Sequence, residues 1–314
     1  MRRYTMRPFR KHVAIAVDGG GIKGVMVTRA LSILEDYIGK PVSDVFRLAA
    51  GTSTGSIISA AIGAGMSAAK MHALYCELGS NVFRKGLRSR LWLLCKYRYP
   101  HGPLRRALNP YLGSFTMGAF WDRQRGTDVV ITLFDLVQNR TRFVKSWKRK
   151  YKTWPAVHAV LGSCSIPTYF PPVAGRYVDG GVGSYANPCY IAAYELLYCL
   201  NWKPSETTLI SLGTGRNPHT LRPGDANRFM AWQWLGPILG AFLKSADDQQ
   251  VRLVETFFKK LDFRRFQIDF DEPIEADDAS KIPVLTAFGD ALGRKILRNE
   301  TDWAVGITAK RARL

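Results

Sequence analysis

Three short apolar runs in this chain each end in a glycine-rich turn, and that pattern limits the possible folds more than any other feature. Val13 to Val17 lead into Asp18-Gly19-Gly20-Gly21-Ile22-Lys23-Gly24, and residues 45–50 lead into Gly51-Thr52-Ser53-Thr54-Gly55. Tyr177-Val178-Asp179 leads into Gly180-Gly181. Helical patterns follow the first two turns, with Val25, Leu31, Leu34 and Ile38 apolar after one and residues 56–66 after the other. Strand, glycine turn and helix in succession form the repeating unit of a parallel sheet. Further apolar runs at residues 46–50, 129–134 and 207–212 are separated by helix-like stretches, so both faces of the sheet are expected to be covered. The expected fold is a three-layer α/β/α arrangement around a mostly parallel sheet, with a mainly helical extension at the C-terminal end. At 314 residues, 46% of them apolar, the chain has ample material for one large core.

The turns carry chemistry as well as geometry. Gly51-Thr52-Ser53-Thr54-Gly55 reads G-x-S-x-G between a strand and a helix. In that context the serine stands on a sharp turn, and Gly51 and Gly55 let the backbone bend. Three consecutive glycines, Gly19, Gly20 and Gly21, suit a loop whose amides converge on an anion at a helix start, either a phosphate or a transient oxyanion. Taken literally, Gly19-x-Gly21-x-x-Gly24 also matches the dinucleotide fingerprint. That alternative needs an acidic residue closing a second strand about 20 residues on. Glu35 and Asp36 fall inside the helix pattern, and Asp44 precedes the next strand. Asp179, freed by Gly180 and Gly181, is a carboxylate at a strand end; an Asp-Gly hairpin turn is the plainer account of it. An anion-binding loop, a nucleophile and a base together form a set.

With those motifs in view, the chain resembles the patatin-like lipid acyl hydrolases, a family of phospholipase A and lysophospholipase enzymes. Ser165-Ile166-Pro167-Thr168-Tyr169-Phe170-Pro171-Pro172 looks like the family's proline-rich segment. Asn187-Pro188 and Leu209-Ile210-Ser211-Leu212-Gly213-Thr214-Gly215 extend the likeness, and Phe263-Arg264-Arg265-Phe266 and Asp277-Asp278 carry it more loosely towards residue 297. The resemblance implies a patatin/lysophospholipase-like acyl hydrolase domain over residues 11–297. A basic segment at residues 1–10 and a tail at residues 298–314 would flank it. It further implies Ser53 as nucleophile and Asp179 as its partner in a Ser–Asp dyad, with Gly180 and Gly181 as the base motif. Gly19, Gly20 and Gly21 would be the oxyanion donors. Lys23 stands where the family more often has arginine. A transacylase on the same scaffold is the nearest enzymatic alternative.

Other functions leave weaker traces. Of the five histidines, only His219 follows Asp179, as a Ser…Asp…His order would require, and a surface loop accounts for it more simply. His158 falls in a helix-like run and reads as structural. No histidine, cysteine and carboxylate spacing suggests a metal site, and the dyad chemistry calls for no cofactor. The acidic run at residues 262–278 lacks the spacing of an EF-hand and reads as solvated surface. The five cysteines form no framework, so buried thiols in a reducing, cytoplasmic setting are expected. No long apolar segment follows the basic N-terminus, so a cleaved secretory signal is not expected. Residues 231–243 are too short for a span; Trp232, Leu235, Leu239 and Phe242 recur there at helical spacing, as a lid, an interfacial face or a core helix.

Net charge is +20, concentrated in an acid-free stretch over residues 78–121 and a basic block over residues 140–152, both interleaved with aromatics. For a chain acting on phospholipid or lysophospholipid, an anionic membrane surface at the inner face is the expected contact. Nucleic acid is not, since no recognition module is visible.

Overall fold

The computed structural model describes residues 6–84, 86, 94–122, 126–218, 221–244 and 247–302; the side chains of a few helical residues, among them Trp232, Leu235, Leu239 and Phe242, lie outside that set. The sheet has seven strands: β1 (His12–Val17), β2 (Leu48–Thr52), β3 (Asp128–Asp135), β4 (Arg140–Lys145), β5 (Tyr177–Asp179), β6 (Thr207–Leu212) and β7 (Asp262–Phe266). Their order is β4-β3-β2-β1-β6-β7, with β5 paired to β3. β1, β2, β3, β6 and β7 run parallel, and β4 and β5 lie antiparallel to β3.

The central strands are buried on both faces, which explains why they appear in the sequence as unbroken apolar runs. Alternation within β1 separates two cores. Val13, Ile15 and Val17 join the larger one, together with the Gly24–Ile38, Thr54–Gly63, Ala68–Val82 and Ile282–Arg298 helices. Ala14 and Ala16 face the other side with Leu48, Ala50 and Val130, where the Cys189–Tyr194 and Asp247–Phe257 helices pack. The C-terminal third is mainly helical, as expected, but it also contributes edge strand β7 and is built into the sheet.

β4 and β7 were hidden by charge. The basic block includes a strand, Arg140–Lys145, in which Arg142 pairs with buried Asp135 and Lys145 with buried Glu195. The acidic run is not solvated surface at its ends. Asp262 is buried and bonded to Arg264 and Thr208, and Asp277 is buried against Tyr99 Oη at 2.9 Å. The cysteines divide: Cys164 and Cys189 are buried, while Cys76 and Cys199 are exposed. Residues 231–243 form a 3-10 turn, Ala231–Trp234, and most of the Leu235–Lys244 helix, which packs against the turn after β5. Among the described residues, no helix is long and apolar enough to cross a membrane.

Candidate active site

At the carboxyl end of β2 the chain reverses into the Thr54–Gly63 helix through Ser53, whose φ of 54° and ψ of −123° lie outside the regions a side chain ordinarily adopts. Three bonds hold this turn. Ser53 N–H donates to Ser163 Oγ at 2.8 Å, Ser163 Oγ–H donates to the Thr132 carbonyl at 2.6 Å, and Ser56 Oγ–H donates to the Ser53 carbonyl at 2.6 Å. Glycine is required on both sides. A Cβ on Gly51 would lie 2.0 Å from the Gly55 carbonyl oxygen, and one on Gly55 would lie 2.0 Å from that of Val17. Since backbone cannot swing away as a side chain can, Gly55→Ala is expected to destabilise the protein by about 1–3 kcal/mol. A fall in the urea-unfolding midpoint measures it; an unchanged midpoint would mean that the turn has slack.

Strand register brings Asp179 to Ser53. β3 pairs Thr132 with Thr52 of β2, and its next residue, Leu133, pairs with Asp179 of β5. β5 thus continues along the edge of β3 where β2 stops, and the residue after Thr52 meets the carboxylate. Asp179 N–H donates to the Ser165 carbonyl at 3.0 Å, and Asp179 Oδ1 accepts from Gly181 N–H at 2.8 Å. Its Oδ2 is buried without a hydrogen-bond partner. Burial pushes the Asp179 carboxyl up to about 6, opposed by the Gly181 amide and the Ser53 hydroxyl. Ser53 and Asp179 line the same cavity, and no hydrogen bond of full geometry joins their side chains among the described residues.

The glycine loop closes the other side. A Cβ on Gly19 would sit 3.2 Å from Ser53 Cβ, so the loop backs directly onto the serine. Gly21 has φ +62°, and a Cβ there would strike the Ala276 carbonyl at 2.2 Å. Gly19 N–H is committed to the Ala186 carbonyl at 2.9 Å, whereas no hydrogen bond among the described residues takes up the amides of Gly20 and Gly21. Two cavities meet at Ser53. One, of about 570 Å³, has Lys23, Asp179, Thr214, Arg216 and Asp247 in its wall. The other is apolar, lined by Ile57, Leu78, Val82, Leu104 and Phe170.

The family model "Patatin-like phospholipase" matches residues 15–193, a span that contains the glycine loop, Ser53 and Asp179. The chain belongs to the patatin-like phospholipase family. It is 30% identical over 231 residues to the 85/88 kDa calcium-independent phospholipase A2 of Rattus norvegicus, covering 65% of this chain and 27% of that protein. A cGAMP-activated phospholipase of Pseudomonas aeruginosa is 25% identical over 270 residues, covering 81% of this chain and 77% of its own length. Among solved structures, VipD from Legionella pneumophila aligns with a TM-score of 0.48 at 11% identity, over 93% of this chain and 67% of that one. The chain spans about a quarter of the rat relative's length.

Beneath the glycine loop of this patatin-like chain lies an anchor that motif reading did not single out. Asp18, the last residue before Gly19, receives Arg265 of β7 through two bonds of 2.9 and 2.5 Å, and Arg265 also donates to Ser211 Oγ at 2.8 Å. Burial lifts the Asp18 carboxyl above its ordinary range even against Arg265. Burial likewise opposes the charge on Arg265, but Asp18 more than offsets it and holds the guanidinium above its usual value. The bidentate geometry, which a carboxylate accepts and a neutral acid does not, decides for the ionised pair. Asp247, in the wall of the larger cavity, is pushed up to about 8, first by burial and then by nearby Asp18.

Of the histidines, His158 packs edge-on against Trp154 and Tyr177, a structural role, and His219 lies outside the described residues. His101 stacks on Phe170 and shares a 3.0 Å bond with Ser165 Oγ. None of the described histidines lines either cavity.

Proposed function

We propose that this chain hydrolyses fatty-acyl esters of phospholipids or lysophospholipids through a Ser53–Asp179 dyad. The observation that carries this reading is the β3 register, which sets the two residues at the wall of one large cavity that meets a second, apolar one at Ser53. The apolar cavity, about 30 Å³ as it stands, must open to admit an acyl chain, and the larger one suits the glycerol and head group beside Lys23 and Arg216. Ser53 Oγ attacks the ester carbonyl carbon while its proton passes to Asp179 Oδ2. Gly20 and Gly21 amides receive the developing oxyanion; the Gly19 amide, already donated to Ala186, instead fixes the loop. Collapse of the tetrahedral intermediate expels the alcohol, which takes the proton back, and water repeats the sequence on the acyl-serine. An acceptor alcohol in place of water would make the same dyad a transacylase.

An aspartate with an ordinary pKa would be a weak base at neutral pH. Burial to about 6 strengthens it while leaving the carboxylate dominant at pH 7, which suits general-base work. The close backing of Gly19 onto Ser53 favours an oxyanion over a dinucleotide pyrophosphate in the loop. The net charge of +20 supports peripheral contact with an anionic membrane. A fluorophosphonate probe tests the reading. It should attach to the peptide containing Ser53, and prior incubation with lysophospholipid should slow the labelling. Labelling confined to another residue, or none on folded protein, would refute the assignment.

A further inference from the structure

We infer that the turn joining β3 to β4 is a bilayer-docking tip that seats the cavity mouth on an anionic lipid surface. This deepens the proposed function and rests on it for the direction of approach. β3 runs past Asp179: Leu133 lies opposite that residue, and Leu136 is three residues further on. At about 3.3 Å per residue the turn projects roughly 10 Å beyond the level of the dyad, at the carboxyl end of the parallel strands. There the chain exposes Leu136 (49%) and Val137 (69%) side by side. Tight turns ordinarily carry glycine, asparagine, aspartate, serine or proline. Here the polar turn residues, Gln138 and Asn139, come second, and Asn139 supplies the positive φ of 47°.

The turn is rigidly mounted. Asp135, wholly buried, accepts from Gln138 N–H at 3.3 Å, and its carboxylate takes Arg142 and Arg176 together. Leu136 N–H donates to the Arg176 carbonyl at 2.9 Å, and Thr141 Oγ–H donates to the Gly183 carbonyl at 3.4 Å, tying the tip to the turn that follows Asp179. Two apolar side chains on a braced support, with the apolar surface left in water, do nothing for this fold; they fit insertion among acyl chains. The surrounding charge selects the partner. Arg140, Arg142 and Arg176 outnumber Asp135 by two, and Lys150 lies within their field. The Lys150 ammonium is held below its usual value by burial and then by Arg142, Arg140 and Lys145, which marks a field that anionic head groups would relieve.

The test uses binding that does not depend on turnover. In the Ser53→Ala background, cosedimentation with phosphatidylglycerol-containing vesicles should weaken at least tenfold on Leu136→Asp/Val137→Asp and strengthen on Val137→Trp. Neither the Asp pair nor Val137→Trp should alter the thermal midpoint. With Ser53 restored, Leu136→Asp/Val137→Asp should keep hydrolysis of a soluble short-chain ester while losing hydrolysis of vesicle lipid. If the Asp pair unfolds the protein, Leu136→Ser/Val137→Ser carries the same expectation without charge. Vesicle binding unchanged by these substitutions, or equal binding to phosphatidylcholine alone, would overturn the docking tip. A protein that binds through the tip yet hydrolyses no ester would overturn the proposed function and leave the docking tip standing.

Discussion

Ser53→Ala and Asp179→Asn are each expected to lower kcat/KM for a fatty-acyl ester by about 10³-fold or more, and the double variant no further than the worse single one. Groups that act on one proton in one step fail together, so their effects do not add. Additive losses would mean that Asp179 acts elsewhere than on the Ser53 hydroxyl. The carboxyl near 6 also sets the pH profile. Ester hydrolysis should fall about tenfold per pH unit below about 6, as the base becomes protonated, and Asp179→Asn should remove that limb along with the rate.

Stability should move the opposite way. The folded pKa of Asp179 lies above the unfolded one, 3.8, so the folded state holds its proton where the unfolded chain has lost it. Stability is then lost as pH rises from about 4 to about 6, and it stays lost above that. A shift of about two units corresponds to about 3 kcal/mol. Asn carries no charge to desolvate and can still accept the Gly181 amide through Oδ1. Asp179→Asn is therefore expected to unfold at a higher temperature than the parent protein at pH 8, with the gap closing near pH 4. A parent midpoint that matches Asp179→Asn at both pH values would show that the carboxylate is not desolvated.

Particular residues show what the sequence could and could not reveal. β6 was legible at its observed bounds, Thr207–Leu212, because a strand buried on both faces carries no charged residue and is rich in β-branched and apolar ones. The three glycine turns likewise gave away the carboxyl ends of β1, β2 and β5, since close backbone approach leaves few other residues possible. β7 was illegible. Asp262-Phe263-Arg264-Arg265-Phe266 looks like a charged loop until each charge is matched, and the partner of Arg265 is 247 residues away. β4 failed for the same reason, since Arg142 and Lys145 are absorbed by Asp135 and Glu195. The glycine loop was found as a whole, but not the division within it. That Gly19 is committed and Gly20 and Gly21 are not depends on the Ala186 carbonyl, which no local pattern announces.

That long-range matching leads to the second large effect. Arg265→Leu is expected to destabilise the protein by about 3–5 kcal/mol, because it leaves the Asp18 carboxylate buried and unpaired. The opposite deletion should be gentler than its burial suggests. Asp18→Asn keeps a side-chain acceptor for Arg265, and the guanidinium retains Ser211 Oγ. Removing both charges with Asp18→Asn/Arg265→Met should recover most of the loss in urea unfolding, since a buried pair as a whole returns little net stability once its desolvation is counted. Activity should not recover with it. Asp18 is the residue before Gly19, and its two bonds to β7 set the angle at which the Gly20 and Gly21 amides reach the cavity. The double variant should therefore fold at near-parent midpoint while hydrolysing ester well below the parent rate, chiefly in kcat, as expected when oxyanion donors are misaimed by a fraction of an ångström. Full recovery of both would reduce the pair to a structural tie, and an Arg265→Leu midpoint within 1 kcal/mol of the parent would mean that Asp18 takes up a proton instead of standing charged.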